Sequence, residues 1–414
     1  MLAYPGKISA DPARHWLIVS DSNHNRILIT DTSGKLLEVI GSGSAGQADG
    51  PFDRAEFRHP QGTAIAGDQL YIADTENHEI RAADLARRTV TTLLGTGEQA
   101  RAPITSGRGR AVPLNSPWDL AVSKAKLYIA MAGSHQLFVA DLETTELRLL
   151  AGSGAEGLVN GSAQRAELAQ PSGLTVDGDT IYFADSETSS IRSIGIASGS
   201  KVSTIVARDF SNLATSMGLP GRHGCSIHSA LPPATGLLYV ADTYNSKIKV
   251  IDPGRRTTST LAGSGKKAPV NGSFEQAEFN EPGGLTWLDG KLYVADTNNQ
   301  QVRVLDEAAK TVSSLPIRGL DALVTHQIKR FSGRIVNLGE QPVNPVGPEV
   351  LVEVRLPAGY KLNPEAPFFL QWESIDGSGK LPVRPAPVSY NWPSASVSSG
   401  KALQELNGRP IDFR

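Results

Sequence analysis

Short runs of apolar and polar residues, each bounded by turn residues, follow one another along most of the chain. The clearest set lies between residues 61 and 95, where QGTAIAG, QLYIAD, EIRAADL and TVTTLLG are separated by breaks at residues 67–68, 75–78 and 85–88. Runs rich in Val, Ile, Leu, Tyr and Thr between turn residues predict β-strands. The array shows no sustained 3.6-residue apolar period, which argues against helical repeats.

This four-strand unit is repeated. DTENHEIR begins at residue 74, DSETSSIR at residue 185 and DTNNQQVR at residue 296, which gives two equal intervals that we call the long period. Linkers of the form ADGPFDRAEFRHPQG recur with the same period. Further versions of the Asp motif begin at residues 21 and 242, and a degenerate one, MAGSHQL, begins at 131. The chain therefore contains six units of roughly 55 residues, arranged as three pairs.

Four strands in about 50 residues, repeated six times, predict an all-β, six-bladed β-propeller over residues 1–318. Both the first and the sixth unit contain four strands in sequence, so we expect neither terminus to donate a strand to the other's blade. Side-chain packing between blades one and six is then expected to close the ring. Residues 319–414 are rich in proline and predict a small β-sandwich-like domain, whose completeness the sequence leaves open. About 15 to 20 residues at its end are expected to be disordered.

The motif D-[ST]-x-N-H-x-I-R, clearest at residues 74–81, resembles the NHL repeat. Together with the D/N-G-x4-A-E-F/L-x2-P-x-G linkers, it is similar to a group of NHL proteins that join a thioredoxin-like domain to an NHL propeller and a C-terminal β domain. The resemblance implies a propeller that works with a thioredoxin-like domain. This chain lacks that domain and the two cysteines that often end the family's C-terminal domain, and its one cysteine is Cys225.

The repeated aspartates are Asp21, Asp74, Asp185, Asp242 and Asp296. Repetition favours a structural role, because a catalytic site needs each residue once. Asp followed by Ser or Thr at a strand end is expected to cap its own turn through bonds to that turn's backbone. The cations that begin the third strands, Arg81, Arg192, Lys249 and Arg303, are expected on a solvated face or in ion pairs between blades, each contributing at most about 1 kcal/mol.

Long linkers and Asp-motif turns are expected on one face of the ring, and loops on a rigid scaffold are the usual place for binding. We therefore predict a partner-binding face that includes the linkers 95–115 and 207–228. Its candidate residues are Glu76, His78, His135, Tyr244, Arg108 and Arg222.

The chemistry of the chain limits the alternatives. The 40 Lys and Arg residues against 42 Asp and Glu give a net charge of −2, which provides no global footprint for nucleic acid. An RNA-binding propeller would depend on Arg101, Arg108, Arg110 and Arg222. A metal-dependent hydrolase or lyase would need several polar side chains in the central channel, where the first strands offer Asp119 and His228.

No signal peptide is visible and no apolar run is long enough to span a membrane, so a soluble chain, cytoplasmic by default, is expected. Cys225 is expected to be a buried apolar residue rather than a reactive thiol. The sequence thus predicts a monomeric, non-catalytic scaffold for a protein partner, such as a thioredoxin-like domain. It predicts no catalytic residue, metal ligand or cofactor site.

Overall fold

The amino-terminal unit of the protein, residues 1–327, is a six-bladed β-propeller in the computed structural model. The structure describes residues 1–207, 226–227, 236–320, 323, 351–352, 389–391 and 396–398. Each blade is an antiparallel sheet in which consecutive strands pair with their neighbours. This confirms the predicted all-β fold and blade number.

The first three blades contain strands β1 to β14. Blade 1 is formed by β1 (Pro5–Asp11), β2 (Trp16–Asp21), β3 (Arg26–Asp31) and β4 (Leu36–Ile40). Blade 2 is formed by β5 (Gly50–Pro51), β6 (Pro60–Ala66), β7 (Gln69–Asp74), β8 (Glu79–Asp84) and β9 (Thr89–Leu94). Blade 3 is formed by β10 (Ser106–Arg108), β11 (Pro117–Ser123), β12 (Lys126–Met131), β13 (Gln136–Asp141) and β14 (Glu146–Ala151).

The last three blades contain strands β15 to β28. Blade 4 is formed by β15 (Gly161–Ser162), β16 (Pro171–Asp177), β17 (Thr180–Asp185), β18 (Ser190–Gly195) and β19 (Lys201–Ala207). Blade 5 is formed by β20 (Ser226–Ile227), β21 (Leu238–Asp242), β22 (Lys247–Asp252) and β23 (Thr257–Ala262). Blade 6 is formed by β24 (Gly272–Ser273), β25 (Pro282–Leu288), β26 (Lys291–Asp296), β27 (Gln301–Asp306) and β28 (Thr311–Leu315).

One detail of the blades goes beyond the predicted four-strand meander. In blades 2, 3, 4 and 6, the linker that precedes the blade adds a short fifth strand at its outer edge. The innermost strands β1, β6, β11, β16, β20 and β25 are neighbours around the ring. The apolar core lies between adjacent sheets: Ile80 and Leu94 of blade 2, for example, pack in one cluster with Leu127 and Phe138 of blade 3.

Side chains of blades 1 and 6 pack together as predicted, and backbone contacts at the end of blade 6 add to the closure of the ring. Arg318, which follows the last strand of blade 6, lies beside the outer strand of blade 1. Its carbonyl accepts the N–H of Leu36 at 3.1 Å, and its own N–H donates to Gly34 at 2.8 Å. Residues 1–17 do not join blade 6: β1 pairs with β2 as the innermost strand of blade 1. Leu320 is buried in a cluster with Leu2 and other residues of blades 1 and 6.

Residues 328–414 form a second unit. In this unit the structure describes three short strands, β29 (Leu351–Val352), β30 (Ser389–Asn391) and β31 (Ser396–Ser398), which pair in the order β29-β31-β30. The predicted β-sandwich-like domain lies largely outside the described residues and stays a prediction, as does the boundary at residues 318 and 319.

Candidate functional site

The Asp motif forms the turn between the second and third strands of each blade. In blades 1, 2, 3, 4 and 6 the residues after the strand make one 3-10 turn and end at a residue in the left-handed conformation. In blade 2 this residue is His78, with φ 54°, and in blade 3 it is His135, with φ 55°. Because the chain reverses in so few residues, the tip of the turn projects from one face of the ring. We call this the turn face.

In blades 1, 2, 5 and 6 the hydroxyl group of the second motif residue connects the blade to the next one. Ser22 and Thr75 donate to the carbonyl groups of Pro60 and Pro117, both at 2.7 Å, where the next innermost strands begin. Thr243 donates in the same way to Pro282 at 2.9 Å. Thr297 donates to Pro5 at 2.8 Å, and this bond joins blade 6 to blade 1. In these four blades the Ser or Thr of the motif is therefore a latch between blades, whereas blade 3 has Ala132 at this position and Ser186 of blade 4 bonds Ser172 of its own blade.

In blade 2 the motif aspartate and arginine form one fully buried network. Asp74 and Arg81 are both 0% exposed. Asp74 Oδ1 accepts the backbone N–H of Arg58 at 2.7 Å, and Oδ2 accepts from Asn77 at 2.8 Å and from Arg81 at 2.9 Å. Arg81 also donates to the carbonyl groups of Ala48 at 3.0 Å and Glu56 at 2.8 Å. The pair therefore fixes the linker that leads into its own blade.

Blades 4 and 6 repeat this network. Arg192 donates to Asp185 and to the carbonyl groups of Val159 and Glu167 at 2.6 to 2.8 Å. Arg303 does the same with Asp296, Val270 and Glu278 at 2.7 to 2.9 Å. Each guanidinium also lies 5.1 to 5.8 Å from the centre of a phenylalanine ring, namely Phe57, Phe183 or Phe279. The long period of the sequence thus arises because this ion pair and its linker recur in blades 2, 4 and 6.

Two sequence-based predictions need correction here. Asp21, Asp74, Asp185 and Asp296 make no side-chain bond to the backbone of their own turns. Their Oδ1 atoms accept instead from the backbone just before the innermost strand of the same blade. The arginines are buried within blades and are neither solvated nor paired between blades. A sequence pattern on its own does not reveal that the linker folds back over the arginine.

The other blades use different side chains at these positions. Blade 1 has Leu28 where blade 2 has Arg81, and its Asp21 accepts at 2.8 Å from Arg26, which lies directly opposite it. Blade 5 has Lys249 at this position, and Lys247 lies opposite Asp242, which also accepts from Asn245.

Blade 3 replaces both partners of the ion pair with buried apolar residues. Met131 stands where blade 2 has the aspartate, and Phe138 stands where it has the arginine. Blades 2, 4 and 6 therefore form a class of their own.

Burial sets the electrostatics of the blade 2 network. It raises the pKa of Asp74 to about 6, although Arg81 acts in the opposite direction. It also raises the pKa of Glu79 to about 7. Desolvation disfavours the charged form of a carboxyl group, which explains both directions. Burial likewise lowers the pKa of His78, whose Nδ1 accepts the backbone N–H of Ser116 at 3.0 Å.

Four of the residues predicted for partner binding lie in the turns of the turn face. Glu76 is exposed and contacts Arg58 at 3.2 Å, and Tyr244 is 42% exposed. His78 and His135 are half-buried, and each accepts a backbone N–H from the next blade's linker through Nδ1. The two histidines thus have a structural bond, whereas Glu76 and Tyr244 present exposed surface.

Arg108 does not lie on the turn face. It ends the outer strand β10, opposite Glu146 at the start of β14, and its Nε donates to Thr144 in the turn between β13 and β14. Turns between third and fourth strands lie on the opposite face of the ring. Arg222, Cys225 and His228 lie outside the described residues.

The central channel contains an ion pair between Lys7 and Asp119, of which only Asp119 was predicted to lie there. The Lys7 side chain, 1% exposed, extends from blade 1 to within 3.7 Å of Asp119 in blade 3 and donates to Ser172 of blade 4 at 2.8 Å. Asp119, 0% exposed, also accepts the N–H groups of Leu120 and Leu174. Burial raises the pKa of Asp119 to about 6.

A signal for this pair was present in the sequence. The innermost strands of blades 2, 4 and 6 begin Pro-x-Gly, and Lys7 and Asp119 take the glycine position in blades 1 and 3. Among the described residues, no group of three or more His, Cys, Asp or Glu side chains could hold a metal ion.

Comparison with known proteins identifies the repeat. The family model described as NHL repeat matches residues 57–82 and 279–305, which contain the ion pairs of blades 2 and 6. The chain is an NHL-repeat propeller.

It is related to NHL repeat-containing protein 2 and to a plant protein. It is 37% identical to the Gallus gallus protein over 417 residues, which cover 88% of this chain and 57% of that one. The Homo sapiens protein is 37% identical over 76% of this chain and 48% of its own length. Protein SUPPRESSOR OF QUENCHING 1, chloroplastic, of Arabidopsis thaliana is 37% identical over 74% of this chain and 30% of its own. The chain thus spans about half or less of these relatives.

Among solved structures, the chain is similar to a structural genomics protein of unknown function from Bacteroides thetaiotaomicron. The TM-score is 0.50, with 18% identity over 70% of this chain and 69% of that one. This likeness concerns the fold alone. Among the described residues, no helix is long and apolar enough to cross a membrane.

Proposed function

We propose that the propeller is a non-catalytic scaffold that binds a protein partner on its turn face. The observation that carries this proposal is a division of labour within the repeated motif. The Asp, the Ser or Thr and the Arg form internal bonds, whereas the third motif residue projects at the tip of each turn. These tip residues are Asn23, Glu76, Gly133, Glu187, Tyr244 and Asn298.

The tips differ in chemistry although the residues beneath them repeat. Glu76 and Glu187 are acidic, Tyr244 is aromatic, and Asn298 donates to Glu281 at 2.8 Å. A rigid ring that displays varied side chains at fixed spacing suits recognition of a second protein surface. Large aromatic residues are common at the energetic centres of such interfaces, which makes Tyr244 the first residue to test.

Two alternative functions receive less support from the described residues. The channel aspartate that a metal-dependent hydrolase would use, Asp119, accepts two backbone N–H groups and faces Lys7. For RNA binding, Arg108 lies on the face opposite the turn face, and Arg110 is paired with Asp49 at 3.2 Å. Arg222 lies outside the described residues.

The partner we propose is a thioredoxin-like domain, attached to the same polypeptide or separate, in thiol redox or stress-related processes. The resemblance to proteins of that architecture supports this choice, and so does the share of the relatives' length that this chain leaves unmatched. In this proposal the redox chemistry belongs to the partner, and the propeller positions it.

The test is binding of a purified thioredoxin-like domain to the purified chain, measured by calorimetry with matched surface variants. Tyr244→Ala and Glu76→Arg change the turn face, whereas Lys124→Glu changes an exposed residue on the opposite face. We expect the first two variants to weaken binding at least tenfold, which is about 1.4 kcal/mol, and Lys124→Glu to leave it unchanged. Equal loss in all three variants would reject the turn face, and no binding by the unaltered chain would reject this partner.

A further inference from the structure

Blade 2 differs from blades 4 and 6 in the number of acidic groups around the motif arginine. In blade 6 the arginine is surrounded by one carboxylate and two amides, from Asp296, Asn271 and Gln301. At the equivalent positions blade 2 has three carboxylates, from Asp74, Asp49 and Glu79. Blade 4 has Asp185, Asn160 and Ser190. Only the network of blade 2, among these three, contains additional acidic groups.

Glu79 lies directly opposite Asp74 in the pairing of β7 with β8. Like charges at opposed positions of neighbouring strands destabilise a sheet. The equivalent pairs elsewhere avoid this conflict: Asp21 faces Arg26, Asp185 faces Ser190, Asp242 faces Lys247 and Asp296 faces Gln301. Glu79 is 4% exposed, and no hydrogen-bond donor contacts its buried Oε2. The cost of burying the negative charge of ionised Glu79 is therefore poorly offset by its surroundings.

The charged groups around Glu79 belong to four elements. Asp74 ends β7, and Arg81 on β8 places its Nε 3.8 Å from Glu79 Oε2. Asp49 lies in the linker before blade 2, and Arg110 lies in the linker before blade 3. Asp49 accepts from both Arg81 at 2.8 Å and Arg110 at 3.2 Å, so a single carboxylate ties the two linkers together.

Glu79 also packs beneath the second of these linkers. A Cβ atom placed on Gly95 would lie 3.1 Å from the Cγ of Glu79, and the N–H of Gly95 donates to Gly109 at 3.3 Å. A charge on Glu79 therefore acts on the beginning of the 95–115 linker as well as on the Asp74–Arg81 pair.

We propose that Glu79 makes blade 2 a proton-sensitive joint, in which loss of its proton loosens the linkers 44–58 and 95–115. Protonated Glu79 is a neutral neighbour like Gln301 in blade 6. Ionised Glu79 repels Asp74 and Asp49 and competes with them for Arg81. The burial that raises the pKa of Glu79 to about 7 places this transition near neutral pH.

The sign of the effect follows from linkage. A carboxyl group whose pKa is raised in the closed structure favours that structure below its ordinary pKa and loses this contribution as the pH rises through the raised value. Between the ordinary and the raised pKa of Glu79, the equilibrium constant for opening of the joint is expected to increase by up to about tenfold per pH unit. Above the raised pKa it reaches a plateau.

The test is hydrogen exchange of the full chain at pH 5.5 and 7.5, with rates expressed as protection factors. We expect protection of residues 44–58 to fall at the higher pH, while the equivalent residues 266–280 of blade 6 change little. Glu79→Gln, which copies blade 6, is expected to reduce the change at residues 44–58 to that of residues 266–280. Gln301→Glu is expected to transfer the larger change to residues 266–280.

Equal responses of the two linkers in the unaltered chain would overturn the proposal. So would a blade 2 response that persists undiminished in Glu79→Gln. If Gln301→Glu does not fold, Glu79→Gln alone decides, because it introduces a side chain that this fold already accommodates at the same position.

Discussion

Blades 2 and 3 show two solutions to one packing problem. At the same two positions, blade 2 buries Asp74 and Arg81, and blade 3 buries Met131 and Phe138, all with no exposed surface. The strands run in the same register in both blades. The ion pair is therefore not required to form a blade, which agrees with the general finding that apolar residues can replace buried ion pairs at little cost.

The difference between the blades lies in what holds the linker. Arg81 donates to three carbonyl groups of the linker before blade 2, whereas in blade 3 the side chain of Gln136 donates to Ile104 of the linker at 3.2 Å. A guanidinium with its fixed fork of donors organises more of the linker than one amide does. The ion pair thus shapes the edge of the blade as well as its interior.

The largest expected effect is that of breaking the pair on one side. Arg81→Leu leaves Asp74 buried without its cation and removes the donor from three linker carbonyl groups. We expect the free energy of unfolding to fall by about 3 to 5 kcal/mol, measured by denaturant titration. A loss below about 1 kcal/mol would show that the pair is as weak as a surface ion pair.

The second largest effect is expected for the ion pair between Lys7 and Asp119 in the central channel. Lys7→Met removes the cation that faces Asp119 and the donor to Ser172, and we expect a loss of about 3 kcal/mol. The double variant Lys7→Gly with Asp119→Gly restores the Pro-x-Gly pattern of blades 2, 4 and 6, and it should be more stable than Lys7→Gly alone. If the double variant loses more free energy of unfolding than Lys7→Gly and Asp119→Gly lose together, the pair does not replace glycine in the way that the repeat suggests.

Much of this fold could be predicted from the sequence, because strand alternation and the long period can be read directly along the chain. The period also indicated that the aspartates are structural. It could not show what they bind, since Asp74 accepts from Arg58, which lies earlier in the chain in a linker without regular pattern. Lys7 and Asp119 belong to different blades and are distant in sequence, and only ring closure brings them together. Arg108 was placed on the wrong face because its linker forms an unpredicted outer strand, β10.

A smaller effect is expected at the latch that closes the ring. Thr297→Val keeps the shape of the side chain and removes the hydroxyl group that donates to Pro5. We expect a loss of about 1 kcal/mol. Ser22→Ala, at the latch between blades 1 and 2, is the matched control. A similar loss in both variants would mean that ring closure relies on this bond as much as the junction between blades 1 and 2 does.

The smallest effect is expected on the face opposite the turn face. Lys124 pairs with Asp179 between blades 3 and 4, with side chains 74% and 80% exposed. Lys124→Ala should change the free energy of unfolding by less than about 0.5 kcal/mol, since water screens exposed pairs. A loss comparable to that of Arg81→Leu would remove the distinction between buried and exposed pairs.

The comparison of blades 2 and 3 is tested most directly by a double-mutant cycle in blade 2. Asp74→Met, Arg81→Phe and the double variant, which copies blade 3, are compared by denaturant unfolding. We predict that the double variant is more stable than either single variant, with a coupling energy of about 2 to 3 kcal/mol. Additive losses, with the double variant the least stable of the three, would contradict the account.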